Sequence, residues 1–133
     1  MNVSNRRFKL TLGIVGVFTA VWMVTEGDLG RDVVLAGSLL LVGLMALMRR
    51  WSWIRTLPPG KTVLLGVAGG LAYGIGLVLL TLFLMAVKTG LHAHGLEYTS
   101  YQLVWVWRQL PLWVVAGGLM GLSVGLLAVA RKR

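Results

Sequence analysis

The residues best suited to chemistry lie in one stretch, KTGLHAHGLEYTSYQLVWVWRQLPLW, Lys88 to Trp113. It holds both histidines of the chain, His92 and His94, with Glu97 three residues further on. Imidazole suits Zn, Cu, Fe and Ni, and a carboxylate can complete a ligand set. In an extended segment His92 and His94 point the same way, because side chains alternate with period two; on a helix they diverge. Two histidines and one glutamate make a thin metal site. A titratable interfacial switch is a second reading, and ordinary solvated loop histidines are the preferred one. No cofactor is therefore expected. The chain has no cysteine, which removes thiolate metal sites, disulfides and cysteine nucleophiles.

General acid–base catalysis needs a positioned His, Asp or Glu. Beyond the histidines and Glu97, the candidates are Glu26, Asp28 and Asp32, all in one short stretch. Their spacing matches no catalytic pattern. The segment PPGKT places a glycine beside Lys61 and Thr62. A phosphate-cradling loop also needs an upstream glycine and a preceding strand, and both are missing. The chain reads as a non-enzymatic protein.

What must position these residues is a set of apolar runs. The chain has 133 residues, 57% hydrophobic and 13% charged, and a mean hydropathy of +0.81. Soluble domains carry about 25% charged residues. Four uncharged runs stand out: 10–25, 33–48, 62–87 and 112–130. A helix needs about 20 apolar residues to cross a bilayer. The last two runs are long enough, and the first two reach that length with their flanks. The expected fold is all-α: a bundle of four transmembrane helices over about 10–26, 33–49, 62–88 and 112–130. An interfacial segment over about 89–111 joins the last two, and residues 1–133 form a single domain. The first run follows Arg6, Arg7 and Lys9, as a signal peptide would, but VWMVTEGDLG offers no small-residue cleavage site. It reads as a retained helix.

Charge sets the expected orientation. With the N-terminus in the cytoplasm, ten of the 13 basic residues fall in the N-terminal tail, the 49–61 loop and the C-terminal tail. The opposite face receives Arg31, Lys88, Arg108 and all four acids. Lys and Arg near span ends favour the cytoplasmic side, so both termini are expected there, in a bacterial or archaeal plasma membrane. The net charge of +9 is thus a topology signal, and nucleic acid is not an expected partner. Anionic headgroups are.

Glycine is a poor helix former, costing about 1 kcal/mol against alanine, yet Gly66, Gly70 and Gly74 recur every four residues, as do Gly117, Gly121 and Gly125. Each set forms a stripe on one helix face. In lipid, helices associate through close backbone approach at such small residues. At about 1.5 Å per residue, antiparallel spans bring Gly66 level with Gly125, Gly70 with Gly121 and Gly74 with Gly117. A packing contact is expected, within one chain more often than between copies.

Aromatic residues gather near the span ends: Trp51 and Trp53 in the loop between the second and third runs, and Tyr98, Tyr101, Trp105, Trp107 and Trp113 with Arg108 before the fourth. Such belts sit at headgroup level. They also supply the residue types that dominate interfaces. Residues 99–110 read either as a helix lying on the membrane surface or as an extension of the last span, kinked at Pro111. Inside the spans the polar groups are Thr11, Thr19, Ser38, Tyr73, Thr81 and Ser123, with no charge at mid-depth. The favoured function is an accessory or scaffold subunit that packs with itself or with other membrane subunits. A small oligomeric channel or transporter for a weakly polar solute is one alternative, and a histidine-ligated metal or redox subunit another.

Overall fold

The computed structural model describes residues 3–25, 27–50, 56–91 and 98–131. They form five helices: α1 (Val3–Val24), α2 (Leu29–Arg50), α3 (Pro59–Leu91), α4 (Ser100–Arg108) and α5 (Leu110–Ala130). Four segments, Arg6–Val24, Leu29–Arg50, Pro59–Leu91 and Ser100–Ala130, are long and apolar enough to cross a membrane.

The helices outrun the apolar runs, and their caps say why. Asp28 accepts a hydrogen bond from the Arg31 backbone N–H at 2.8 Å, the side-chain cap that Asp provides well. That cap starts α2 at Leu29 and draws Arg31 and Asp32 into its first turn. α3 begins at Pro59, where a missing N–H costs nothing because first-turn donors have no helical partner anyway. It then runs 33 residues, about 50 Å at the helical rise. Thr99 and Gln102 form a reciprocal capping box that opens α4.

Between α4 and α5 the helix is interrupted only at Gln109, which keeps right-handed helical angles. Its N–H reaches the carbonyl of Trp105 at 3.2 Å, and its own carbonyl accepts from Trp113 at 3.0 Å. Pro111 lies in the first turn of α5, lacks an N–H and disfavours the helical region for the residue before it. The interruption at Gln109 lies two residues ahead of it. Of the two readings of residues 99–110, the extension of the last span describes this geometry, since the hydrogen bonding carries across the break.

Two apolar clusters hold the elements together. Trp22, Leu35, Ala36, Leu77 and Leu84 join α1, α2 and α3. Val78, Met85, Tyr98 and Val106 tie α3 to α4 and to the residues leading into it. Between α2 and α3 the Tyr73 hydroxyl donates to the Gly37 carbonyl at 3.2 Å, and Leu40 lies on Gly76. α1 stays largely exposed along Ile14, Val17 and Val24.

Hydroxyls along the helices are consumed locally. Thr11, Thr19, Ser38, Thr81, Thr89 and Ser123 each donate to the carbonyl four residues earlier. Helices use this bond to satisfy hydroxyls without water.

Candidate functional site

α3 and α5 approach each other backbone to backbone. A Cβ built on Gly66 would lie 2.5 Å from the Gly121 carbonyl oxygen and 3.1 Å from the Gly125 Cα. One on Gly70 would overlap the Gly117 oxygen and meet the Gly121 Cα at 2.9 Å. One on Gly74 would overlap the Trp113 oxygen, and Gly117 in turn lies against the Gly74 nitrogen. The relation is mutual, since a Cβ on Gly117 or Gly121 would overlap the oxygen of Gly70 or Gly66. Each central glycine thus sits between two glycines of the other helix, half a turn out of step with both. Their Cα–H groups face carbonyl oxygens, a contact worth about 0.5–1 kcal/mol. No side chain stands between the two backbones to yield if either glycine is enlarged.

The aromatic set divides. Tyr98 is 4% exposed and packs in the core, so it belongs to the fold rather than to an outer surface. Tyr101, 76% exposed, Trp105, Trp107 and Arg108 lie open on α4. Tyr101, Val104, Trp105 and Arg108 line a shallow groove with Ser100, because spacings of three and four return to one face. Trp113 lends its carbonyl to the seam beside Gly74. Trp51, Trp53, His92, His94 and Glu97 lie outside the described residues. Among the described residues no three His, Asp or Glu side chains gather as a metal site.

Two of the charges expected on the face opposite the cytoplasm, Asp32 and Lys88, are buried. Asp32 of α2 and Lys88 of α3 are each 0% exposed, and Trp22 of α1 is 3% exposed. The Trp22 indole N–H donates to Asp32 Oδ1 at 2.5 Å. Lys88 Nζ donates to the Trp22 backbone carbonyl and stands 4.7 Å from the centroid of the indole ring. One tryptophan therefore serves both charges: its edge holds the carboxylate, and its face and carbonyl hold the ammonium.

Helix ends explain why charges settle here. The last carbonyls of a helix lack partners, and cations are favoured at that end while anions are favoured at the N-terminal end. Trp22 lies in the last turn of α1 and Asp32 in the first turn of α2. Lys88, carried by a third helix, caps α1 from the side. Thr25 adds a hydroxyl to the same Trp22 carbonyl at 3.2 Å. Asp32 Oδ2 is buried and accepts no hydrogen bond from the described residues. A buried charge is costly unless paired and hydrogen-bonded, so the cluster is a demanding feature of the fold.

No family model, characterised protein or solved structure matches the chain.

Proposed function

We propose that this chain is a small, non-enzymatic integral membrane protein with both termini in the cytoplasm. In this reading it serves as an accessory or scaffold subunit that docks a second copy or another membrane subunit. The glycine stripes of α3 and α5 act as the packing device that stiffens one hairpin. Their close approach is made within the chain, so partner contact falls to another surface. The observation that carries the reading is the open face of α4, where Tyr101, Trp105 and Arg108 project from an element anchored to α3 through Val106. Aromatic and arginine side chains on a rigid support are what dominate interface energetics.

Native mass spectrometry from gently solubilised membranes tests this. A defined stoichiometry with a second subunit or copy is expected, and it should dissolve when Tyr101, Trp105 and Arg108 are all replaced by alanine. A solitary monomer in mild detergent argues against it.

The channel or transporter alternative draws support from Asp32 and Lys88, since ionisable side chains inside a membrane bundle often mark a solute path. Against it, the hydroxyls that would line a path are spent on backbone carbonyls. Solute flux from proteoliposomes containing this chain alone would favour that alternative.

A further inference from the structure

We propose that the space around the Lys88 ammonium is a recognition site for a primary ammonium ion, which the chain fills with its own side chain. The site is composite, and its acceptor, wall and carboxylate come from α1 and α2. The acceptor is the Trp22 carbonyl, at a helix end that favours cations. The wall is the indole face, 4.7 Å from Nζ, a surface that attracts ammonium groups through its quadrupole and more strongly when desolvated. A buried carboxylate, Asp32, is held on the edge of the same indole by its N–H, with Oδ2 buried and accepting no described hydrogen bond.

These groups come from the end of α1 and the start of α2, so they form a preorganised half-site before α3 is considered. Lys88 completes it as a ligand would. Its stem rises from the last turn of α3, and its head reaches an acceptor 66 residues earlier in the chain. What the half-site recognises is the ammonium, and the four-carbon stem only delivers it. A free primary ammonium of the same charge and size should therefore bind once the tether is cut.

The full-length protein in detergent, carrying Lys88→Ala, tests this by chemical rescue. Methylammonium chloride is the probe, sodium chloride at equal concentration the ionic-strength control, and tetramethylammonium chloride the probe too bulky to enter. At a methylammonium concentration ten times its Kd, the folded-to-unfolded ratio of the variant should rise about tenfold. The wild type, already filled, should show no such gain. An equal response of wild type and variant, or of methylammonium and tetramethylammonium, overturns the proposal. Lys88→Met keeps the apolar stem and serves where the alanine variant fails to accumulate. It is read with ammonium chloride, and a variant that is equally stable with and without ammonium likewise refutes the site.

Discussion

The side chain of Lys88 closes the C-terminal turn of α1 by donating to the carbonyl of Trp22. A helix cap is usually a local affair of a few residues. Here it is supplied by another helix, and it fixes α1, α2 and α3 to one another at a single point.

Breaking that point from one side should be worse than removing it altogether. Lys88→Met removes the ammonium that shares Trp22 with the buried Asp32 carboxylate, and losing one member of a buried charged cluster costs about 3–5 kcal/mol. Asp32→Asn should be milder, because the amide oxygen can still accept from the indole. The double variant should be more stable than Lys88→Met alone. Thermal unfolding in detergent measures all three, and strict additivity would mean that the two charges are independent.

Trp22→Phe keeps a ring face for Lys88 but loses the N–H that holds Asp32 Oδ1. A hydrogen bond to a charged group contributes about 1.5–3 kcal/mol, and a loss of that order is expected. If unfolding is unchanged, the indole is a spacer and not a bridge.

Neighbouring glycines should answer differently to the same change. Gly70→Ala drives a Cβ into the Gly117 carbonyl, whereas Gly69 has nothing within 4 Å of the corresponding position. Overpacking of this kind costs about 1–3 kcal/mol. Gly69→Ala should be neutral or mildly stabilising, since alanine is the better helix former. Chemical denaturation of the pair of variants is the check, and equal effects would contradict the geometry of the seam.

Orientation is open to direct labelling, because the chain contains no cysteine. Single cysteines replacing Thr56 or Arg131 should react with an impermeant maleimide only when the cytoplasmic face is exposed, and one replacing Tyr101 only from the other side. The reverse pattern would invert the proposed topology.

Tyr98 and Tyr101 should separate fold from docking. Tyr98→Ala empties part of the core between α3 and α4 and should lower stability by about 3–5 kcal/mol, as large buried aromatics do. Tyr101→Ala should leave unfolding unchanged and weaken association alone. A common effect on both properties would tie the two residues to one role.

The four long apolar helices were legible in the sequence because an uncharged run of that length has few other fates. Glycine spacing was legible too, as a face, although the half-turn stagger of Gly70 between Gly117 and Gly121 depends on how two backbones settle against each other. The charge cluster was not. Asp32 and Lys88 each border an apolar run, where a charged residue ordinarily signals the start of a loop. Only the capped start of α2 and the extension of α3 past its apolar run carry them inside. Tyr98 misled for a related reason. Three residues before Tyr101 and alike in type, it differs only in lying ahead of the cap at Thr99, where the chain turns inward onto Met85 and Val106.

The 33 residues of α3 have a consequence for the lipid around the protein. A bilayer core is about 30 Å thick, and the helix is about 50 Å long, whereas α1 and α2, at 22 residues each, come close to matching it. Inserted upright, α3 would lift α4 and its aromatic face clear of the acyl region; leaning, it would lay that face down among the headgroups. Membrane thickness would then govern how far the α4 surface is presented, with mismatch costing fractions of a kcal/mol per Å. The length of the lipid chains would tune its availability without any change in the protein.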